Sequence, residues 1–118
     1  MRLTSDVFCS ALLRSVFADG GFAAIAKRGA GEAGSIYIIQ RTRVGHLRLF
    51  GPAPQSVFMD GEDDGDALDG RRFECIMDGT SEVDINARLD RERRYDTDIW
   101  VVELETDALP HTVKVVQT

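Results

Sequence analysis

The sequence is poor in the residues that build metal centres, disulfide frameworks and membrane spans. It has two cysteines and two histidines in 118 residues, and no C-x-x-C, H-x-E or H-E-x-x-H spacing, so neither a zinc site nor another metal site is expected. Cys9 and Cys75 each lie in an apolar segment, which is typical of reduced core thiols in a cytoplasmic protein. No apolar run approaches the roughly 20 residues that span a bilayer. We therefore expect a cytoplasmic protein without a membrane-spanning segment.

Basic residues are fewer than acidic ones, 14 Lys and Arg against 20 Asp and Glu, and the formal net charge is −6. Nucleic acids and anionic membrane surfaces both require a basic face on the protein that binds them. We therefore predict no nucleic-acid and no membrane partner. The hydrophobic content of 43% is that of an ordinary globular protein, and the length predicts a single domain over residues 1–118.

Hydrophobic periodicity predicts two helices and five or six strands. Phe8, Leu12 and Val16 recur at i, i+4 and i+8 in the first helix, which Thr4 or Ser5 caps. A second helix with a thinner apolar stripe is predicted from about Glu82 to Tyr95. The predicted strands are 23–28, 35–40, 46–50, 71–77 and 99–105, and 112–117 is either a sixth strand or a frayed tail.

The order of these elements predicts an α+β fold. An amphipathic helix must bury its apolar stripe against the sheet. We therefore expect two layers, a mostly antiparallel sheet of four to six strands with two helices packed on one face. The alternative is that one or both helices form a dimer interface, which the thin stripe of the second helix allows.

A glycine-rich string at Gly29–Gly34, GAGEAG, matches the G-x-G-x-x-G pattern of dinucleotide-binding proteins. That pattern binds a pyrophosphate only when a helix follows it, because the N–H groups at the helix N-terminus hold the phosphate. Here the following residues, 35–40, are rich in isoleucine and predict a strand. The favoured interpretation is a glycine-rich loop that closes a hairpin.

The segment 59–70 is rich in aspartate and glycine and predicts a flexible acidic loop. Asp60, Glu62, Asp64 and Asp66 occupy calcium-ligand positions of an EF-hand loop, but Arg71 stands where that loop requires a bidentate glutamate. A solvated loop is therefore favoured over weak calcium binding.

Two carboxylates, Glu103 and Glu105, lie two residues apart on a predicted strand. Their side chains are expected on one face about 7 Å apart, a spacing that can serve an acid and a base. Such a pair is more often the solvated face of a half-buried strand, and no third group accompanies it. We assign no catalytic residue and no cofactor.

A small basic and aromatic patch is the predicted ligand-binding surface. Strand alternation places His46 and Arg48 on the face opposite to the leucines of the third strand. The residues expected to form the patch are Arg28, Tyr37, Arg41, His46 and Arg48. An ordinary solvated sheet face is the more frequent cause of such a pattern.

Three strings in the order KRGAGEAGSIYI, LFGPAPQ and YDTDIWVVELE resemble the bacterial DUF1491 family of proteins of unknown function. The resemblance covers essentially the whole chain and implies a small, single-domain bacterial protein. It supplies no catalytic residue, cofactor or partner. The acidic segment at 60–70 is an addition relative to that pattern.

The function predicted from these features is a non-catalytic binding or protein-interaction module, with an unidentified protein or small ligand as partner. A homodimer is compatible with the pattern. The alternatives are a small-molecule or nucleotide binder that uses Gly29–Gly34, and a minor enzyme that uses Glu103 and Glu105.

Overall fold

The computed structural model describes residues 3–54 and 70–116. Its elements are α1 (Ser5–Ala18), β1 (Phe22–Lys27), β2 (Ile36–Arg41), β3 (Leu47–Pro52), β4 (Arg72–Asp78), α2 (Glu82–Tyr95), β5 (Trp100–Glu105) and β6 (Lys114–Val115). Both predicted helices and the five main strands are confirmed, and the C-terminal segment contributes a two-residue strand. The predicted acidic loop, apart from Gly70, lies outside the described residues.

The six strands form one open sheet in the order β1-β5-β2-β3-β4-β6. The pairs β1–β5, β2–β3 and β3–β4 are antiparallel, while β2–β5 and β4–β6 are parallel. This confirms the α+β class and the mostly antiparallel sheet. The predicted hairpin of β1 and β2 is wrong, because β5 lies between these strands and pairs with both.

The two helices pack on opposite faces of the sheet, which corrects the prediction of two layers with both helices on one face. Helix α1 covers one face of the sheet, which we call the α1 face. The buried side chains on this side include Phe8, Leu12, Val16, Ile36, Ile38, Phe50, Phe73, Trp100, Val102 and Leu104. Helix α2 covers the opposite face, which we call the α2 face. The buried side chains on this side are Tyr37, Ile39, Leu47, Leu49, Ile85, Leu89, Ile99 and Val101. Because β2 and β5 carry apolar side chains on both sides, each side needs a cover. The fold has three layers.

The two cysteines differ in exposure. Cys9 is buried in α1, and burial raises the pKa of its thiol to about 12. Cys75 is exposed, so the prediction of two core thiols is wrong for this residue. A register shift between β3 and β4 separates Cys75 from Met77. Regular alternation along β4 would place Phe73, Cys75 and Met77 on one face. Because of the shift, Phe73 lies on the α1 face and Met77 on the α2 face.

Candidate functional site

The glycine loop, residues 29–34, accepts hydrogen bonds from the N-terminus of α1. The backbone N–H groups of Ser5 and Asp6 donate to the carbonyls of Glu32 and Gly31, at 3.2 and 2.9 Å. The loop thereby satisfies helix N–H groups that have no partner within the helix. It presents carbonyl oxygens to a helix N-terminus, whereas a phosphate site needs N–H groups that point at the ligand.

The same loop also holds the start of β5. Trp100 Nε1 donates to the Ala30 carbonyl at 2.7 Å, and the Ala30 N–H donates to the Asp98 carbonyl at 3.1 Å. A Cβ atom on Gly29 or Gly34 would overlap that Asp98 carbonyl oxygen. These two glycines are therefore required because two backbone segments approach closely, a role that needs no ligand.

Two of the five predicted ligand-binding residues lie on the α2 face, where they contact α2. The Tyr37 hydroxyl donates to Glu92 at 3.2 Å. Arg41 forms an exposed ion pair of 3.2 Å with Glu82, at the start of the helix. Both side chains connect the sheet to α2.

Two further predicted residues belong to the β3 region. Arg48 Nε donates to the Oε1 atom of the buried Gln40 at 2.9 Å, and its guanidinium lies 5.4 Å from the ring centroid of Phe50, on the α1 face. His46 precedes β3, and its Nε2 atom lies 2.6 Å from a carboxylate oxygen of Asp78. Arg48 and the Tyr37 ring are thus on opposite faces of the sheet.

The fifth residue, Arg28, follows β1. Its guanidinium lies 5.6 Å from the centroid of the Trp100 ring, and 3.9 Å separates it from the Asp6 carboxylate. The five residues therefore do not meet in one patch of this structure. A ligand-binding role for any of them stays a prediction.

The burial of Tyr37 gives a testable titration. Burial and the nearby Glu92 carboxylate raise the pKa of Tyr37 to about 12. An unfolded tyrosine has a pKa of about 10, which is below the value in the folded protein. The contribution of Tyr37 to the free energy of unfolding is therefore fully present below a pH of about 10 and is lost as the pH rises through about 12. In a Tyr95→Phe variant Tyr37 is the only tyrosine, so the phenolate absorbance should appear with a midpoint near the raised value. A midpoint near pH ~10 would contradict the observed packing.

The glutamate pair lies on the α2 face at an exposed strip of β5. Glu103 is opposite Ala24, and Glu105 is opposite Phe22. Both side chains border a shallow hollow of about 170 Å³ that Arg41 also lines. Within residues 3–54 and 70–116, no three histidine, cysteine or acidic side chains cluster as metal ligands would.

A cleft of about 310 Å³ lies beside the N-terminus of α1, and sequence reasoning missed it. Arg71 and the buried Arg72 line it, together with Phe73. Arg71 donates to the Ser5 hydroxyl at 3.3 Å, and its guanidinium lies 5.1 Å from the ring centroid of Phe8. Arg71 therefore helps to fix α1 on the sheet.

The outer side of β1 is an open sheet edge. β1 pairs with β5 on one side, and no other strand of the described part of the chain pairs with it. Its sequence, FAAIAK, has one charge, and the Lys27 ammonium donates back to the carbonyls of Thr97 and Ile99 at 2.9 and 3.0 Å. Exposed edges are usually protected by charges, prolines or a cover. The middle of β1 has no charge and no proline.

An exposed aromatic pair stands at the beginning of this strand. Phe17, from the end of α1, and Phe22 are 50% and 52% exposed. Their rings meet edge to face, with centroids 5.7 Å apart. We use the term β1 edge for the outer side of Phe22–Lys27 together with Phe17.

The opposite edge of the sheet is better protected. The start of β4 is covered by β6, which pairs with Arg72 and Phe73. The remaining part of β4 carries the charged residues Glu74 and Asp78. The cover and the charges discourage the addition of another strand, and the middle of β1 lacks such charges. A register shift does not distinguish the two edges, because one interrupts the β3–β4 pairing and another interrupts the β1–β5 pairing between Ile25 and Lys27.

Within the described ranges, neither helix has the length and apolar character that a membrane crossing requires.

Comparisons with known proteins give a family and three similar solved structures. The family model described as "Protein of unknown function (DUF1491)" matches residues 3–114. The solution structure of a protein from A. tumefaciens is 52% identical, with a TM-score of 0.82 over 100% of this chain and 98% of that chain. The crystal structure of a DUF1491 family protein from Caulobacter crescentus CB15 is 30% identical, with a TM-score of 0.76 over 99% of this chain and 100% of that chain. An NMR structure of a DUF1491 family protein from Caulobacter crescentus CB15 is 32% identical, with a TM-score of 0.77 over 99% of both chains. No curated protein matches the chain.

Proposed function

The chain belongs to the DUF1491 family of proteins of unknown function, and we propose that it is a non-catalytic protein-interaction module that binds an extended protein segment at the β1 edge. The observation that carries this proposal is the outer side of β1, with which no further strand of residues 3–54 and 70–116 pairs, beside the exposed aromatic pair. An extended segment supplies the backbone donors and acceptors that such an edge lacks.

The side chains of the β1 edge suit strand addition. Ala23, Ala24 and Ala26 are small, so they leave room above and below the sheet for the side chains of a neighbouring strand. Phe17 and Phe22 add an apolar contact at one end, and aromatic residues are frequent anchors of interfaces. Backbone hydrogen bonds would supply affinity, and the aromatic pair would select the side chain at one position of the bound segment.

The proposal is tested by NMR titration with short synthetic peptides that alternate valine with lysine or glutamate. We expect chemical-shift changes at the amides of Phe22–Lys27 and at the Phe17 ring. Replacing Phe22 by glutamate should raise the dissociation constant about tenfold or more, a loss of about 1.4 kcal/mol. The matched control is Val83→Glu, because Val83 is 76% exposed on α2 and lies outside the β1 edge.

Two results would contradict the proposal. One is that no peptide changes the β1 amide shifts at millimolar concentration. The other is that the shifts map to β4 or to the glycine loop and do not depend on Phe22.

A further inference from the structure

We infer that the extended segment at the β1 edge is β1 of a second copy of this chain, so that two copies form an antiparallel dimer with one continuous sheet. This inference rests on the proposed function of the β1 edge. It adds the identity of the partner and the register of the pairing.

The strand is complementary to itself. In an antiparallel pair, residues that stand opposite each other lie on the same face of the sheet. Any two-fold pairing centred on one residue of β1 meets this condition, and with Ala24 at the centre Ala23 stands opposite the partner subunit's Ile25. Ala23 and Ile25 both belong to the core on the α1 face. The alanines lie at the centre of the pairing, where the two backbones meet.

The same register brings opposite charges together at both ends of the interface. Arg28 follows the end of β1, beyond the register shift between Ile25 and Lys27, and this end of the strand then lies beside the turn of the partner subunit that contains Asp19 and Gly20. The Arg28 side chain is 68% exposed, and its ion-pair partner within the chain, Asp6, is 3.9 Å away. Asp19 is also exposed. The two-fold axis forms the pair twice, and complementary charges of this kind fix the register of an interface.

A closed dimer also explains the composition of β1. A two-fold pairing uses the β1 edge of both copies and leaves neither exposed. A strand that is covered in this way needs no protective charge in its middle, as Ala23–Ala26 has none. Strand β4, which carries Glu74 and Asp78 on the opposite edge, shows the composition expected of an edge that remains in solvent.

Charge exchange between two variants tests the inference by sedimentation equilibrium. The wild-type chain should associate to twice its 13.0 kDa mass. Asp19→Lys alone sets lysine against Arg28, and Arg28→Glu alone sets glutamate against Asp19, so each should raise the dissociation constant about tenfold or more. An equal mixture of the two variants should restore the wild-type dissociation constant, because every pair in the mixed dimer has opposite charges.

A matched control reverses a charge at the other edge of the sheet. Glu74→Lys should leave the dissociation constant of the dimer unchanged, because Glu74 lies on β4. Added salt should weaken the wild-type dimer, since the charge pairs are exposed.

The possible outcomes separate the two proposals. A wild-type chain that stays monomeric while peptides shift the β1 amides would overturn the dimer and keep the proposed function. A dimer that is insensitive to Asp19→Lys, Arg28→Glu and Phe22→Glu would form through another surface and would also overturn the dimer of β1 edges. A mixture of the charge variants that associates no more tightly than either variant alone would overturn it as well.

Discussion

Replacing Gly34 by alanine is expected to lower the free energy of unfolding by about 3 kcal/mol, the upper range for overpacking. The added Cβ would overlap the Asp98 carbonyl oxygen and lie 2.9 Å from Cδ1 of Trp100. The Asp98 region cannot easily move away, because the Trp100 N–H donates to the Ser35 carbonyl at 2.7 Å. Gly31, in the same string, has no atom within 4 Å of such a Cβ, so Gly31→Ala should change stability by less than about 0.5 kcal/mol.

Thermal unfolding of the two variants measures this difference. At about 4 °C per kcal/mol for a chain of this size, the Gly34 variant should unfold about 12 °C below the wild type, and the Gly31 variant at the wild-type temperature. Equal losses from both substitutions would contradict the structural role of the loop. Stabilisation of the wild type by a dinucleotide, lost in a Gly31→Val variant, would instead show that the loop binds nucleotides.

Replacing Ile85 by alanine is expected to lower the free energy of unfolding by about 3 kcal/mol. Ile85 is 1% exposed and packs in the core on the α2 face. Truncation of a buried isoleucine removes apolar contacts and leaves a cavity. Val83→Ala is the control on the same helix, because Val83 is 76% exposed and its truncation should cost less than about 0.5 kcal/mol.

The three-layer arrangement is tested by whether the losses of stability from substitutions in α1 and in α2 add in a double variant. Leu12 is 1% exposed in the core on the α1 face, on the other side of the sheet from Ile85. Losses from Leu12→Ala and Ile85→Ala should therefore add to within about 0.5 kcal/mol in the double variant. Strong coupling between the two substitutions, or a loss below about 1 kcal/mol for Ile85→Ala, would contradict the packing of the helices on separate faces.

Periodicity in the sequence predicts the elements but not the faces they cover. The spacing of Phe8, Leu12 and Val16 correctly predicts α1 and its buried stripe. The run at 36–39 is buried on both sides of the sheet, which is the signal that a second layer of helix is needed. That signal is ambiguous in sequence, because an uninterrupted apolar run also fits a strand with one covered face.

The order of the strands cannot be derived from local patterns, and both site predictions depend on it. The patch prediction required the side chains of Tyr37 and Arg48 to emerge together, whereas they lie on opposite faces. The glycines at 29–34 predict a loop that closes a hairpin, but β5 comes between β1 and β2 from a distant part of the chain. The β1 edge becomes visible only when this order is known, since the strand sequence does not say whether one or both of its sides are paired.

The most direct test of the β1 edge as a binding surface is amide hydrogen exchange along Phe22–Lys27 in dilute protein. Residues of an antiparallel strand direct their N–H groups alternately to one side and the other. An open edge predicts that alternate amides of β1 exchange rapidly, while the amides bonded to β5 are protected, and that the rapid ones become protected when a strand binds. Slow exchange at all of these amides in the dilute monomer would show that the edge is already covered and would contradict the proposed function.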